Sequence, residues 1–217
     1  MDGMSPTMTA ISAIGIVPVV VIDDAGRAAD LAHALLDGGI GCAEFTLRTP
    51  GAIDAIRAAA AVPGFVTGAG TVLSSVQADA VVDAGASFVV SPGYDPEVSR
   101  RVTNLGVAMV PGIATPTELQ RAIADGFTHV KVFPAGHLGG PAYLDALAGP
   151  FPGIRFLPSG GVGPDTLAEY LRRPHVFAGS GSWMVPRHAI DAGDFALVSE
   201  RSRAASDIRD HARANTA

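Results

Sequence analysis

The sequence is short of lysine, cysteine, tryptophan and charge in general. One lysine, Lys131, stands among 15 basic residues, and one cysteine, Cys42, occurs in 217 residues. A single cysteine cannot form an internal disulfide, and the lack of a CxxC or His/Cys cluster argues against a structural metal site. Charged residues make up 17% of the chain against 48% hydrophobic residues, which excludes a disordered polar protein and indicates a compact globular one.

Long apolar runs are also missing. The longest, from Ala10 to Ile22, is too short for a membrane span and is interrupted by Gly15 and Pro18. The first nine residues carry no basic stretch of the kind that begins a secretory signal, so we expect a cytoplasmic protein. The net charge of −6, with arginines scattered along the chain, argues against nucleic acid as a partner.

Short apolar runs alternate with alanine-rich amphipathic segments along the chain. Eight runs are predicted as strands: Ile16 to Val21, Cys42 to Thr46, Val66 to Ala69, Phe88 to Val90, Val107 to Val110, Val130 to Phe133, Ile154 to Leu157 and Val176 to Ala178. A helix is predicted after each of the first seven. Runs that are apolar on both faces are typical of parallel strands covered by helices, and eight βα units predict an α/β fold of the (β/α)8 TIM-barrel type. A doubly wound open sheet is the alternative.

The length predicts a single domain. We expect residues 1–10 to be a flexible N-terminus and residues 11–217 to form the barrel, with one or two closing helices between Asp191 and Arg213. The last turn, Ala212 to Ala217, is expected to fray.

Lys131 is the first candidate for chemistry because it lies between Val130 and Val132, where a solvated surface charge is not expected. Burial of an ammonium favours the neutral amine, which is the form that attacks a ketone to give a Schiff base. The alternative is a strand lysine whose stem is buried and whose head reaches water. The abrupt strand end after Phe133 favours the catalytic interpretation.

Other unusual residues follow the ends of the predicted strands, where barrel active sites form. Glu44 lies in an apolar strand and needs a partner, for which Lys131 is the natural choice. Such a pair can move protons at a reacting centre, although a purely structural ion pair is the alternative. Arg48 offers a fork of donors suited to a carboxylate, and Thr71 could add a hydroxyl to the same group.

Glycine-rich turns follow the last two predicted strands. Gly160, Gly161 and Gly181 would expose backbone N–H groups near helix N-termini, an arrangement that suits the phosphate of a small sugar. The segment Gly68 to Leu73 lacks the third glycine of a dinucleotide signature, and the histidines show no metal-ligand spacing.

Several of these segments, in order from Ile16 to Asp194, resemble the class I KDPG/KHG aldolases, the 2-keto-3-deoxy-6-phosphogluconate aldolases. The matching motifs are EFTLRTP from Glu44, GAGTVL from Gly68, SPG from Ser91, VPGIATPTEL from Val110, KVFPA from Lys131, GPFPGIRFLPSGGV from Gly149 and GSWMVP from Gly181. The resemblance implies an enzyme that needs no metal or cofactor and acts on a 2-keto acid and a sugar phosphate. It also implies a homotrimer.

The resemblance also assigns roles to residues. It implies that Lys131 forms the Schiff base and that Glu44 is the acid/base. The residues it implies for substrate binding are Arg48, Thr71, Pro92, Phe133 and Ser159, and those for phosphate binding are Gly160, Gly161, Gly181 and Ser182. Two departures stand out: Ser159 replaces a threonine, and Ser180 replaces a glycine, so a positive φ at Ser180 would be strained.

The hypothesis is therefore a retro-aldolase that cleaves 2-keto-3-deoxy-6-phosphogluconate. The alternatives are the same chemistry on 4-hydroxy-2-oxoglutarate or on the galactonate-series epimer, a non-catalytic sugar-phosphate-binding barrel, and a barrel epimerase or isomerase, which would leave the single lysine unexplained.

Overall fold

The computed structural model describes residues 5–214, which form an α/β fold. The strands are β1 Ile16–Val20, β2 Cys42–Thr46, β3 Val66–Gly70, β4 Phe88–Val90, β5 Ala108–Val110, β6 Gly112–Ile113, β7 His129–Val132, β8 Arg155–Pro158 and β9 Gly179–Gly181. The α-helices are α1 Pro6–Ile14, α2 Ala28–Asp37, α3 Ala52–Ala60, α4 Ser75–Asp83, α5 Pro96–Asn104, α6 Pro116–Ala124, α7 Pro141–Ala148, α8 Pro164–Leu171, α9 Arg187–Ala192 and α10 Phe195–Ala214. A short 3₁₀ helix, Ala25–Arg27, precedes α2.

All strand pairings are parallel, as the sequence predicts. Six strands form one sheet in the order β5-β4-β3-β2-β1-β9, and three form a second in the order β6-β7-β8. The predicted fifth strand, Val107 to Val110, is confirmed as β5. A short strand that was not predicted, β6, follows it after Pro111, which has no amide hydrogen with which to continue the ladder. The α/β class with a curled parallel sheet is thus confirmed, and residues 5–214 contain nine short strands in two sheets where eight in one barrel were predicted.

The last predicted strand is displaced. The apolar run Val176 to Ala178 is buried, but the strand that pairs with β1 is Gly179–Gly181, with Gly179 opposite Ile16. Glycine and serine have little intrinsic preference for strands, so pairing with β1 rather than composition determines this element.

The N-terminal segment differs from the prediction as well. Residues 6–10, expected to be flexible, belong to α1, whose N-cap Ser5 accepts a hydrogen bond from Met8 N at 3.3 Å. Pro6 stands at the first helical position, where its missing N–H costs nothing. Residues 1–4 lie outside the described part of the chain.

Helix α1 covers the amino-terminal end of the strands. Met8 and Ile11 are buried in a cluster with strand side chains such as Val17, Phe88 and Leu157. This cluster is separate from the larger apolar layer that packs the helices against the sheet. The inward faces of the strands therefore enclose a side-chain core of their own, and α1 closes one end of it.

The inner core constrains individual glycines. A side-chain carbon at Gly68 would lie 2.2 Å from the Phe88 ring, so the ring occupies space that only glycine leaves empty.

The C-terminal helices agree with the prediction of a closing helical segment. Helix α9 is short, and the 20-residue α10 packs against α2 and α8. The expected fraying from Ala212 is not seen up to Ala214, where α10 ends, and residues 215–217 lie outside the described range. No helix within residues 5–214 has the length and apolar character needed to cross a bilayer.

Candidate active site

The single lysine and the strand glutamate meet in the interior of the protein. Lys131 Nζ donates to Glu44 Oε1 at 3.0 Å, and the two residues are 5% and 0% exposed. Glu44 lies on β2 and Lys131 on β7, in different sheets, so the fold brings together side chains 87 residues apart. The predicted pairing of these two residues is confirmed.

Glu44 keeps one oxygen without a partner. Within the described residues, buried Oε2 has no hydrogen-bond partner. A buried unpaired carboxylate oxygen is costly in a native protein, and such atoms are found where a ligand, a water or a proton is received. Gly70 lets the carboxyl group sit against β3, because a side-chain carbon there would lie 3.1 Å from Glu44 Cδ.

The surroundings of the pair are mainly apolar. The Phe133 ring centroid lies 5.5 Å from Lys131 Nζ. Two residues before Glu44 and on the same face of β2, the Cys42 thiol donates to Ile16 O at 3.2 Å. Burial raises the pKa of this thiol, and the charge of Glu44 adds to the rise. Cys42 is therefore a small buried strand residue, as expected.

Arg48 and Ser182 line a common cavity of about 430 Å³ at the carboxyl-terminal ends of β1, β2 and β9. Both side chains are exposed to it. The sequence assigned Arg48 to the carboxylate end of the substrate and Ser182 to the phosphate end. The structure places both residues on the same opening.

Thr71 is the one residue within 5–214, other than glycine, with a positive φ, at 60°. A β-branched residue in the left-handed region costs about 1–3 kcal/mol, and such strain is concentrated at functional sites. Thr71 follows β3 directly, on the same edge of the sheet as Arg48, and Glu44 pairs with Gly68 in the strand before it.

Pro92 follows β4 and is partly buried. A side-chain carbon at Gly112 would lie 2.4 Å from the carbonyl of Pro92, so these two strand ends approach each other as closely as backbone allows. The close contact with Gly112 of β6 therefore fixes the position of Pro92.

The glycine turn after β8 packs against the residues that follow β7. Gly160 has a φ of 81°, and a side-chain carbon there would lie 3.1 Å from the Phe133 ring. Gly161 has a φ of 80°. Ser159 is buried, its N–H donates to Val132 O at 3.0 Å, and it bridges to Ser180.

Ser180 does not carry the strain considered in the sequence analysis. Its φ is not positive, since Ser180 lies in β9 and pairs with Val17. Gly181 next to it is constrained instead by close approach, because a side-chain carbon there would lie 2.7 Å from Val162 O.

One feature of the opening was missed. Asp23 and Arg187 line the same cavity as Arg48 and are joined by an ion pair of 2.5 Å between Arg187 Nη2 and Asp23 Oδ2. Asp23 lies just beyond β1 and Arg187 begins α9 after β9, so the pair joins two neighbouring strand ends. A prediction that β1 and β9 are neighbours would have placed Asp23 and Arg187 close together.

The arrangement has the parts of an imine-forming site: a buried primary amine, an adjacent carboxyl group with a spare oxygen, and cationic and N–H donors at the rim. Among residues 5–214, no group of three or more His, Cys, Asp or Glu side chains is placed to hold a metal ion.

Comparisons with known proteins agree with this chemistry. The profile of the family described as "KDPG and KHG aldolase" matches residues 8–201. The chain is 46% identical to the 2-dehydro-3-deoxy-phosphogluconate aldolase of Treponema pallidum over 89% of this chain and 93% of that protein. It is 41% identical to the KHG/KDPG aldolase of Escherichia coli K12 over 88% of this chain and 90% of that protein.

A solved structure gives the same result. The KDPG aldolase of Legionella pneumophila, with pyruvate captured at low pH as a covalent carbinolamine, superposes with a TM-score of 0.88 at 38% identity, over 93% of this chain and 98% of that one.

Proposed function

The chain belongs to the KDPG and KHG aldolase family, and we propose that it is the Schiff-base lyase that cleaves 2-keto-3-deoxy-6-phosphogluconate to pyruvate and glyceraldehyde 3-phosphate. The observation that carries the proposal is the buried contact of 3.0 Å between Lys131 Nζ and Glu44 Oε1. A carboxylate that accepts a proton from the ammonium leaves the neutral amine that the reaction needs.

Imine formation is the first half of the reaction. The lysine amine attacks the C2 carbonyl carbon of the keto acid, and the oxygen gains a proton to give a carbinolamine. The carboxyl group of Glu44 then protonates that hydroxyl, which leaves as water, and the C=N bond of the imine forms. The spare oxygen of Glu44, Oε2, allows one carboxyl group to bind the lysine and still exchange protons with the substrate.

Carbon–carbon cleavage is the second half. The Glu44 carboxylate accepts the proton of the C4 hydroxyl, directly or through water, as the C3–C4 bond breaks. The bond electrons move into the protonated imine and give an enamine, and glyceraldehyde 3-phosphate leaves. Glu44 returns a proton to C3, and hydrolysis of the new imine releases pyruvate and the free amine of Lys131.

The remaining side chains hold the substrate. We propose that Arg48 and Thr71 bind the carboxylate next to the ketone, which fixes the carbonyl carbon against the amine. Pro92 and Phe133 form apolar walls, and Ser159 hydrogen-bonds a substrate hydroxyl. The proximity of the Phe133 ring to Lys131 Nζ supports this part of the assignment.

The phosphate would bind at the turns after β8 and β9, through Gly160, Gly161, Gly181 and Ser182. The positive φ at Gly160 and Gly161 supports this proposal, because successive N–H groups in such turns point toward a bound anion. The shared opening lined by Arg48 and Ser182 gives room for a ligand that spans both ends.

We also propose that β5 and β6 act as one strand and that the two sheets close into a single eight-stranded barrel. Lys131 N donates to Pro111 O at 2.9 Å across the interruption, and Ser159 bridges to Ser180 at the opposite seam. We further propose a cytoplasmic homotrimer. Leu73 and Val76, which are 58% and 78% exposed beside Thr71, provide an apolar surface suited to a second copy.

Trapping with pyruvate and borohydride tests the Schiff base. The wild-type chain should gain the mass of one reduced pyruvate adduct, and Lys131→Met should gain none while keeping its circular dichroism. An adduct on the variant would contradict the assignment. Ligand-induced thermal stabilisation of the wild type without an adduct would favour a non-catalytic sugar-phosphate-binding protein.

The preferred substrate is a second question. The relative named KHG/KDPG aldolase favours 4-hydroxy-2-oxoglutarate as the alternative, with the same Lys131 and Glu44 chemistry. Measurement of kcat/KM for the gluconate, galactonate and oxoglutarate substrates decides between them, and we expect the phosphogluconate to have the highest value.

A further inference from the structure

A second and larger cavity lies at the opposite end of the strands. Its volume is about 890 Å³, and it is lined by residues of α1, the starts of β5, β7 and β8, the segment before β9 and the end of α10. This volume falls within the range of small-molecule sites in proteins. It is separate from the opening lined by Arg48 and Ser182, which lies at the carboxyl-terminal ends.

The charge of this amino-terminal cavity is uniformly positive. Arg155 and Arg213 line it, and among residues 5–214 no aspartate or glutamate does. The chain as a whole has a net charge of −6, so a cavity without carboxylates is not what its composition predicts.

Both guanidinium groups are held by backbone carbonyls rather than by carboxylates. Arg213 donates to Ala13 O and to Ser12 O at 2.7 Å each, and Arg155 donates to Pro174 O. A carbonyl fixes the orientation of a guanidinium without forming an ion pair with it. Each group has five N–H donors, so donors remain for a ligand.

Apolar and aromatic side chains also line this cavity. Phe127, Met109 and Phe177 line it, and the last two are almost fully buried. His129 packs edge-on against Phe177, with ring centroids 5.0 Å apart. These side chains offer few hydrogen-bond partners to a polyhydroxylated sugar acid, whereas a flat apolar group can pack against them.

We propose that this cavity binds a small organic anion with an aromatic or otherwise apolar body and one phosphate or carboxylate. The anionic group pairs with Arg155 and Arg213, and the body packs against Phe127 and Phe177. The site is independent of the lysine chemistry, since none of its residues lies at the carboxyl-terminal ends of the strands.

Titration calorimetry of the full chain with phenyl phosphate tests the proposal, with benzyl alcohol and inorganic phosphate as partial ligands. Phenyl phosphate should bind more tightly than either partial ligand. Arg155→Ala should weaken binding by about ten-fold or more, because a charge-assisted hydrogen bond to the anion is lost. Retro-aldol kinetics of this variant should be unchanged.

Arg100→Ala is the matched control. Arg100 is also exposed and also donates to a backbone carbonyl, that of Pro96, at 3.1 Å, but it does not line the cavity. It should bind phenyl phosphate like the wild type. Arg48→Ala should also retain binding, and loss of binding there would place the ligand at the catalytic end and overturn the proposal.

Thr128→Glu places a carboxylate inside the cavity and should abolish binding. Equal affinity of wild type, Arg155→Ala and Thr128→Glu, or no binding at millimolar phenyl phosphate, overturns the proposal. So does a drop in the sedimenting mass of Arg155→Ala, which would identify the face as an interface between copies of the chain.

Discussion

The two ends of the strands use their residues in opposite ways. At the carboxyl-terminal ends, Glu44 Oε2 is buried without a partner among the described residues, and Thr71 holds a positive φ of 60°. At the amino-terminal ends, Met8 and Ile11 of α1 fill the core, and the last carbonyls of α1 accept hydrogen bonds from arginines of α10, such as Arg209 Nη1 to Ile14 O at 3.0 Å.

The difference indicates which end is built for stability. An unpaired oxygen and a left-handed threonine both raise the free energy of the folded state, so the rest of the fold must offset them. Helix α1 and its buried side chains provide part of that compensation. Substitutions at the carboxyl-terminal ends should therefore change activity more than stability, and those at the amino-terminal ends should do the reverse.

The largest effect is expected for Glu44→Gln, which keeps the shape of the side chain and removes its proton transfer. We expect kcat to fall by about 10²- to 10⁴-fold, the usual contribution of general acid–base catalysis. Steady-state kinetics with 2-keto-3-deoxy-6-phosphogluconate measure it. The matched control is Glu200→Gln on the exposed side of α10, which should leave kcat unchanged.

Ile11→Ala is the counterpart at the other end. Ile11 is 1% exposed, and its truncation should lower the free energy of unfolding by about 2–4 kcal/mol because a cavity replaces the side chain. Denaturant unfolding measures the loss. The kcat/KM of the variant should stay within about two-fold of the wild-type value. A loss no larger than that of an exposed substitution would mean that α1 does not stabilise the strand core.

Thr71→Gly sharpens the comparison at a single residue. Glycine accepts a positive φ without strain, and after its larger backbone entropy is subtracted the variant should be more stable by about 1 kcal/mol. It should also bind pyruvate less well, since the hydroxyl is lost. A variant that is both less stable and fully active would show that Thr71 is a structural turn residue.

Much of the fold could be predicted from periodicity. Seven of the eight predicted strands match β1 to β5, β7 and β8 within two residues, because apolar runs between helical segments determine them locally. The additional strand β6, which pairs with β7, and the shift of the last strand to Gly179–Gly181 could not be read in this way, since both depend on which strand is the neighbour. The helix α1 was missed although Ser5 and Pro6 are an N-cap signal.

The site divides similarly. Lys131 and Glu44 could be paired from the sequence because each is a charge in an apolar strand and needs the other. The positive φ of Thr71 and the Asp23–Arg187 ion pair depend on backbone geometry and on the β1–β9 pairing, which no local pattern encodes.

The smallest effect concerns His129, at the start of β7. Burial lowers the pKa of this histidine, and the charge of Arg155 lowers it further. The unfolded chain, in which the histidine pKa has its ordinary value of about 6.5, then binds more protons than the folded one as the pH falls. The contribution of neutral His129 to the stability of the folded state is therefore fully present above a pH of about 6.5 and is lost as the pH falls below it.

His129→Gln should therefore reduce the acid sensitivity of unfolding between neutral and mildly acidic pH, by an amount well below the cost of Ile11→Ala. Unfolding midpoints of wild type and variant, measured across this range, give the difference. His188→Gln, an exposed substitution on α9, is the matched control and should leave the pH dependence as it is. If His129→Gln and the wild type showed the same pH dependence of unfolding, the surroundings of His129 at the amino-terminal ends of the strands would not favour its neutral form.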